Sequence, residues 1–327
     1  MTTGTAASCL TSCASSWPRK TSSASPIAIA PPPIPAVGDS RSLTRALPLF
    51  LLAGLCLSSL DATAKYLVRD HPLFLVVWAR YAGQMIVVTP FAWRRAGPGF
   101  WRTPRLRLQL LRSTMLLCAT FCFFGGLRFL PLAEGSAITF LAPIIVVLLS
   151  GPLLGERPDA TRWIAAFTGF AGILILLRPG SAVFHPAALL LLLAALCNAL
   201  YFLLTRKLVE DDPHTTLFYS ALVGTVGLSI GLPFALEAGL PTPGESLPFV
   251  LLGLFAGIGH WLLIGAFRRA PAALLTPFAY LQIIWATAYG LALFGQLPDG
   301  WSALGMTVIV GSGLMLALRE RARAPRR

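Results

Sequence analysis

Three polar side chains lie deep within apolar stretches of this sequence, and their chemistry suits the binding of a polar solute. Asn198, His260 and Gln282 are embedded in runs of Leu, Ala, Ile and Phe that approach twenty residues in length. If these runs cross a bilayer as helices, a rise of 1.5 Å per residue places all three roughly 10 to 18 Å from either surface. Each residue alone suits an interhelical hydrogen bond, whereas three at one level also suit a polar cavity. The imidazole of His260 can in addition relay protons.

Charged residues occur at a second depth. Asp61 precedes Lys65 by one helical turn, and Arg80 belongs to the following apolar run, so that Asp61 and Arg80 each lie roughly 10 Å below one surface. The arrangement predicts an ion pair between Asp61 and Arg80, with an outer gate or a contact to an anionic substrate as the alternatives. Glu134 begins a later apolar run, where its carboxylate suits the positive end of a helix dipole or a gate.

Four aromatic residues complete the set of candidate binding residues. Trp78, Tyr201, Tyr280 and Trp285 are predicted to line an amphipathic cavity, with interfacial anchoring or simple packing as the alternative for each. The sequence has no zinc-helix motif, phosphate-binding loop or nucleophile elbow, and it predicts neither a metal nor a cofactor.

The composition explains which elements must position these residues. The chain has 327 residues, of which 56% are hydrophobic and 12% charged, and its mean hydropathy is +0.73. So few charges cannot coat the surface of a soluble protein, for which about a quarter is usual. The net charge of +13 comes from short basic segments between apolar runs, with no aromatic-interleaved basic surface that would indicate nucleic-acid binding. Cys56, Cys118, Cys122 and Cys197 lie inside apolar runs, where thiols behave as small packing groups.

Ten membrane-spanning helices are predicted. Residues 1–44 are rich in Ser, Thr, Ala and Pro and are predicted to be a disordered tail, and 320–327 to be a basic cytoplasmic tail. Pro143 falls near the middle of the fourth span, where its missing N–H predicts a bend. The predicted spans are 47–67, 72–93, 109–127, 131–153, 162–177, 187–205, 215–236, 248–267, 271–293 and 301–318.

The basic residues predict an orientation for these spans. With the N-terminus inside, eighteen Lys and Arg residues fall in cytoplasmic segments and four, Lys65, Arg69, Arg128 and Arg178, fall on the opposite side. Such a positive-inside bias is lost if one span is miscounted, because every later loop then changes side. The chain is therefore predicted to be a multi-pass membrane protein with both termini cytoplasmic.

An internal repeat relates the two ends of the chain. A shift of 140 residues superimposes 131–159 on 271–299 without a gap and matches Pro131 with Pro271, Gly155 with Gly295 and Asp159 with Asp299. Five spans per copy is an odd number, so the second copy enters the membrane inverted. The sequence therefore predicts an all-α membrane protein of ten transmembrane helices in two inverted five-helix repeats, which is the architecture of alternating access.

The motifs around these positions resemble those of a known family. The segments that carry the resemblance are 78–81, 128–137, 153–158, 277–282 and 294–299, and they are similar to the two EamA domains of the drug/metabolite transporter superfamily. The resemblance implies one EamA domain over 46–179 and a second over 186–319. Together with the Ala, Leu, Arg and Pro bias of the sequence, it also implies a location in a bacterial inner membrane. At the position where the first half has an acid typical of the family, Glu156, the second half has Gln296. A role for an acid at this position therefore cannot be assigned to the second half.

These observations favour a secondary transporter rather than an enzyme. The expected substrate is a small polar or amphipathic metabolite, and the family resemblance favours export. One alternative is a membrane-embedded enzyme or lipid-handling protein that uses Asp61, Glu134 and His260 as acid–base groups, although such groups must come within hydrogen-bond reach. A helical scaffold without transport is a third reading, which the polar midplane residues and the repeat disfavour.

The charge bias generates a topology prediction. Single cysteines that replace Arg102 and Arg321 should be labelled from the cytoplasm, and a cysteine that replaces Gly244 should be labelled from outside, because Lys and Arg are retained on the cytoplasmic side. The measurement is labelling by a membrane-impermeant maleimide in intact and in permeabilised cells. External reactivity of the Arg102→Cys variant would contradict the predicted topology.

Overall fold

A computed structural model describes residues 40–154, 160–178, 185–208, 210–233, 242, 245–270, 275 and 278–323. Eleven α-helices have both ends within these residues, and no β-strand occurs among them. The helices are α1 (Ser40–Asp70), α2 (Leu73–Ala96), α3 (Leu106–Leu127), α4 (Leu132–Thr139), α5 (Ala142–Leu154), α6 (Ala160–Leu177), α7 (Ala188–Lys207), α8 (Pro213–Ser229), α9 (Ser246–Phe267), α10 (Leu281–Phe294) and α11 (Gly300–Arg323).

The helices are long and apolar enough for a membrane protein. In the described residues, five are of a length and composition that can cross a bilayer, and four further apolar helices are shorter. Helices satisfy every interior backbone N–H and C=O internally, which a bilayer core requires. Each predicted span overlaps at least one of the eleven helices, and the protein is an all-α membrane protein. Gly155, Asp159, Pro271 and Gly244, used above for the repeat and the topology, lie outside the described residues.

Three predicted boundaries differ from the structure. Helix α1 begins at Ser40, so 40–44 is helical and not part of a disordered tail, because the helix of the first span extends backwards past Pro48. Helix α11 continues to Arg323 and includes the start of the predicted basic tail. The fourth span is not continuous but divides into α4 and α5.

The break between α4 and α5 lies next to Pro143. Pro143 has no N–H to donate to the carbonyl of Thr139, and the Leu141 N–H donates to the Ile138 carbonyl (3.1 Å). The helix resumes when the N–H groups of Ile144 and Ile145 donate to the Leu141 carbonyl, each at 3.0 Å. The proline therefore produces two helices, where a bend was predicted.

The helices pack in a regular set of pairs. Helix α1 packs against α9 and α10, α2 against α8 and α9, α3 against α7 and α8, and α6 against α11. The helix bounds also recur at a fixed spacing. Helix α3 covers 106–127 and α9 covers 246–267, so both of its ends recur after 140 residues, and α6 and α11 begin at 160 and 300.

Glycines allow two of these pairs to touch backbone to backbone. A Cβ built on Gly83 of α2 would lie 2.5 Å from the Cα of Gly253 on α9, and a Cβ on Gly305 of α11 would lie 2.7 Å from the carbonyl oxygen of Gly172 on α6. Small residues at such crossings let helices approach closely and gain van der Waals contact in a membrane.

Cationic side chains connect the ends of helices on one side of the protein. Lys65 is 2% exposed, and its Nζ donates to the carbonyl oxygens of Leu127 (3.0 Å) and Leu130 at the negative end of α3. On the same side, Arg178 at the end of α6 forms an ion pair with Asp299 before α11 (2.6 Å). The N–H and hydroxyl of Ser302, followed by the Arg178 guanidinium, hold the pKa of the Asp299 carboxyl below its ordinary value.

Arg112 connects three helices on the opposite side. It lies on α3, is 3% exposed, and donates from Nε to Thr205 Oγ1 (2.7 Å) and from Nη2 to the Tyr201 hydroxyl oxygen (2.7 Å), both on α7. Its Nη1 donates to Ser220 Oγ (2.8 Å) and to the carbonyl oxygen of Thr216 (3.1 Å) on α8. A buried guanidinium is here satisfied by neutral acceptors.

The glycine crossing generates a stability prediction. Gly83→Ala should lower stability by about 1–3 kcal/mol, because its Cβ forces α2 away from the backbone of α9. The matched control is Gly227→Ala, also within a helix, whose Cβ meets no described atom within 4 Å and which should be neutral or stabilising by up to about 1 kcal/mol. Thermal unfolding in detergent measures both variants, and equal melting temperatures would contradict the tight crossing.

The Arg112 contacts generate a second stability prediction. Arg112→Met should cost about 2–4 kcal/mol, because it removes hydrogen bonds from a charged donor to α7 and α8. Arg107→Met is the control, since Arg107 lies exposed on the same helix. Melting temperatures should fall clearly for the first variant only. If the two variants have the same melting temperature, Arg112 does not hold the three helices together.

Candidate functional site

A cavity of about 680 Å³ lies between the helices. Helices α1, α2, α3, α4, α5, α7, α9 and α10 and the α4–α5 break contribute to its walls. On α1 the lining extends from Phe50 to Asp61, eleven residues or about 16 Å along the axis. The polar lining residues are Asp61, Arg80, Thr120, Ser136, Thr139, Asn198, Tyr201, His260 and Gln282. The aromatic ones are Phe50, Phe123, Phe124, Phe140, Phe202, Phe267, Phe278 and Trp285, with Tyr201 in both classes.

The structure brings the three predicted midplane residues together. Asn198 of α7, His260 of α9 and Gln282 of α10 all line this cavity. The side-chain amides of Asn198 and Gln282 make no hydrogen bond with another described residue. The backbone carbonyl of Gln282 accepts a hydrogen bond from Ser58 Oγ (3.4 Å). Both amides therefore retain their hydrogen-bonding capacity for a solute, and their role in binding stays a prediction.

His260 lines the cavity, and one of its ring nitrogens has no hydrogen-bond partner among the described residues. Its Nδ1–H donates to the carbonyl oxygen of Ala256 one turn earlier on α9 (2.8 Å). A neutral imidazole that donates from Nδ1 has an acceptor at Nε2. The residue can thus accept a hydrogen bond from a solute without rotating its ring.

Two of the four predicted aromatic residues line the cavity. Tyr201 does so with its hydroxyl held by Arg112, as described above, and Trp285 of α10 is 36% exposed. Tyr201 is therefore fixed in place on the cavity wall, and the Arg112 guanidinium carbon lies 4.4 Å from the centroid of its ring.

Tyr280 and Trp78 lie outside the cavity lining. The Tyr280 side chain packs against α11, where Gly313 leaves the space that its hydroxyl fills, and its ring centroid is 5.3 Å from that of Phe140. Trp78 points towards α8 and donates from Nε1 to Ser229 Oγ (3.0 Å). Their placement in the predicted binding set is not matched by the geometry, because the rotation of each helix turns the ring towards a neighbouring helix.

Asp61 and Arg80 face the cavity without forming the predicted ion pair. Among the described residues, ion pairs within 4 Å join His71 to Glu245, Arg105 to Glu210 and Arg178 to Asp299, and none joins Asp61 to Arg80. The Arg80 guanidinium carbon lies 4.4 Å from the centroid of the Tyr81 ring. Both residues line the cavity, but the ion pair that the sequence predicted between them is not formed.

Glu134 lies elsewhere. On α4, its Oε1 accepts from Ser302 Oγ of α11 (2.8 Å), and it does not belong to the cavity lining. Asp61, Glu134 and His260 are therefore not gathered as one acid–base group. The described residues also hold no group of three His, Cys, Asp or Glu side chains that could bind a metal ion.

Three features of the cavity were not predicted from the sequence. Thr120 of α3 lines the cavity and shares a hydrogen bond with the Tyr81 hydroxyl (2.9 Å). Phe140 lines the cavity at the α4–α5 break, where the carbonyl of Thr139 lacks the N–H that Pro143 cannot supply. The α4–α5 break is irregular backbone beside a cavity, which is typical of transporter binding sites. Arg112 positions Tyr201, and the sequence signal that could have indicated its role is an arginine inside a predicted span.

A family model matches most of the chain. The model is that of the EamA-like transporter family, and it matches residues 44–178 and again residues 185–318. Both matches together include every helix that lines the cavity.

Curated relatives are similar over nearly their whole length. An S-adenosylmethionine uptake transporter of Rickettsia bellii is 28% identical over 274 residues, which is 83% of this chain and 93% of that protein. A riboflavin transporter of Rhizobium johnstonii is 29% identical over 290 residues, 88% of this chain and 95% of that protein. An uncharacterized transporter of Helicobacter pylori is 27% identical over 280 residues, 83% and 93% of the two chains.

A solved crystal structure has the same fold. It covers 86% of this chain and 99% of its own, with a TM-score of 0.62 and 23% sequence identity. The helical architecture, the cavity between the helices and the double match to one family model lead to a single assignment. The chain belongs to the EamA-like transporter family.

Proposed function

We propose that this protein is a secondary carrier that moves a small polar or amphipathic metabolite across a bacterial inner membrane by alternating access. The observation that carries the proposal is the cavity of about 680 Å³, which is lined by residues of both family-matched segments. Its apolar and aromatic walls and its few polar groups with spare hydrogen-bonding capacity are typical of small-molecule sites.

Recurring helix contacts support two inverted repeats of five spans. Let α4 and α5 together count as the fourth span. When each helix is replaced by the helix five spans away, the pair α1–α9 becomes α7–α3 and the pair α2–α9 becomes α8–α3. All four pairs are in contact. The same shift converts α2–α8 and α6–α11 into themselves. This is the pattern that a two-fold relation between the halves generates.

Cavity residues recur with the 140-residue spacing as well. Asp61 and Tyr201 are 140 residues apart, as are Thr120 and His260, and all four line the cavity. Phe140, at the α4–α5 break, is 140 residues before Tyr280, after which α10 begins, and the two rings are in contact. We infer that the cavity lies on the axis that relates two EamA domains, at 46–179 and 186–319.

The membrane-embedded enzyme is the weaker reading. Glu134 is bound to Ser302 and does not line the cavity with Asp61 and His260. The family resemblance favours export, whereas the Rickettsia relatives are named as uptake transporters, so both directions need measurement.

The test is a transport screen with purified protein in proteoliposomes. Uptake and efflux of labelled metabolites would be measured against protein-free liposomes, with S-adenosylmethionine and riboflavin included because relatives are named for them. Flux of at least one metabolite above the control is the expected result. Chemical conversion of a panel member without flux would support an enzyme instead.

The three midplane residues generate a prediction for the transported metabolite. Gln282→Leu and His260→Leu should each raise Km roughly threefold to tenfold with little change in melting temperature, because each removes one hydrogen bond to the solute.

Gln84→Leu is the matched control. Gln84 is fully buried on α2 outside the cavity lining, and neither its Nε2 nor its Oε1 has a hydrogen-bond partner in the described structure. This change should raise the melting temperature and leave Km unaltered, because it removes an unpaired amide. Lowered melting temperatures with unchanged Km for the Gln282 and His260 variants would assign those residues to packing.

A further inference from the structure

The two ends of the cavity differ in how they are closed. Phe124 lines one end, near the end of α3, and is only 2% exposed, and the neighbouring Lys65 and Leu127 are buried as well. The lining at the other end includes Phe202 of α7 and Phe267, the last residue of α9, which are 44% and 43% exposed. The cavity is thus sealed where α1 and α3 end, and it reaches exposed side chains where α7 and α9 end.

Equivalent helices form the sealed end and the open end. At the 140-residue spacing, Lys65 of α1 corresponds to Thr205 of α7, and Leu127 of α3 corresponds to Phe267 of α9. Helix α1 is in contact with α3, whereas α7 and α9 are not among the packed pairs of the described helices. The Thr205 hydroxyl instead accepts a hydrogen bond from Arg112 Nε of α3 (2.7 Å). One pair of helices is therefore joined while its counterpart is apart, as access from one side at a time requires.

Lys65 makes a direct polar contact between α1 and α3. Its Nζ donates to the carbonyl oxygens of Leu127 (3.0 Å) and Leu130, and carbonyls at the end of a helix have no partner within that helix. The same Nζ lies 5.4 Å from the centroid of the Phe294 ring on α10. Helix α1 otherwise packs mainly against α9 and α10, and α3 packs mainly against α7 and α8. The ammonium group therefore joins two groups of helices across the sealed end of the cavity.

The position of Lys65 allows this contact to break at a modest cost. Lys65 lies two residues before the end of the predicted first span, about 3 Å along the axis, and its long side chain can carry the ammonium to the membrane surface. The carbonyls of Leu127 and Leu130 belong to the end of α3 at the same surface, where water can replace the ammonium. A charge at mid-bilayer, by contrast, has no water within reach. The contact of Lys65 therefore suits a connection that forms and breaks.

We propose that Lys65 is a latch that closes the cavity on the predicted outer side, and that its release from the carbonyls of Leu127 and Leu130 opens that side. The described conformation is then the one in which the cavity is accessible from the cytoplasm. The inference rests on the proposed alternating-access function, because a latch has a role only if the sealed side also opens. Access to the cavity can nevertheless be measured without a substrate.

The experiment measures how fast a small reagent reaches the cavity from each side of the membrane. Ser136→Cys places a thiol on the cavity wall with little change in volume, in full-length protein whose six native cysteines are replaced by alanine. A membrane-impermeant methanethiosulfonate is applied to right-side-out and to inside-out membrane vesicles. Modification should be roughly fivefold or more faster from the cytoplasmic side, because the sealed conformation is the populated one. Equal rates, or faster modification from outside, would overturn the proposal.

Three variants of this protein test the role of Lys65. Lys65→Met should speed modification from outside roughly tenfold or more, because both hydrogen bonds at the sealed end are lost. Lys65→Arg retains a cationic donor and should keep most of the closure.

Arg69→Met is the matched control. Arg69 is exposed one turn later on α1, and its guanidinium lies over the Phe294 ring, 4.5 Å from the centroid. Removal of this charge should leave the outer rate within about twofold, since the bonds of Lys65 to α3 remain. A lower melting temperature of Lys65→Met with an unchanged outer rate would assign Lys65 to stability alone and refute the latch. If Lys65→Met does not fold, the ratio of the two rates without it decides.

The outcomes separate this inference from the proposed function. Flux of a metabolite in proteoliposomes, together with an outer rate that Lys65→Met leaves unchanged, would overturn the latch and leave the carrier function standing. Outer access that depends on Lys65, without flux of any metabolite, would support the latch and contradict the carrier function.

Discussion

The cost of an unpaired polar group in apolar surroundings governs this structure. It accounts for the helices themselves, because only a helix or a closed barrel satisfies the backbone inside a bilayer. It also accounts for the buried cations. Lys65 uses the free carbonyls at the end of α3, and Arg112 uses hydroxyls and a carbonyl of α7 and α8. Neither cation has a carboxylate as a hydrogen-bond partner among the described residues. Backbone carbonyls and hydroxyl side chains take the place of counter-ions.

Several polar groups that line the cavity have no partner within the protein. The ring of His260 is held through Nδ1 and leaves Nε2 for a solute, the Asn198 and Gln282 amides keep spare capacity, and the helix of the fourth span is interrupted at Phe140. Asp61 and Arg80 also line the cavity, and no ion pair joins them. A solute that binds there would satisfy charged and polar groups that have no direct partner in the protein.

Much of the fold could be predicted from hydropathy, because a span needs about twenty apolar residues and its depth follows from the rise per residue. Depth alone was enough to place Asn198, His260 and Gln282 around one cavity. The direction of a side chain around its helix could not be predicted in the same way, because helices that are apolar on every side lack a face that faces water. Trp78 and Tyr280 turn towards Ser229 and Gly313, which are distant in sequence. Pro143 indicated an irregularity, but whether it bends or divides a helix depends on the surrounding packing.

The two glycine crossings restrict how the halves of the protein can move. Gly83 meets Gly253 between α2 and α9, and Gly172 meets Gly305 between α6 and α11, and each crossing joins residues 44–178 to residues 185–318. At these points backbone touches backbone, so no side chain can change rotamer to let one helix slide over the other. A rigid rotation of one half against the other that preserves both contacts can turn only about the line that joins them. The direction of such a rotation is thus set by four residues that have no side chain.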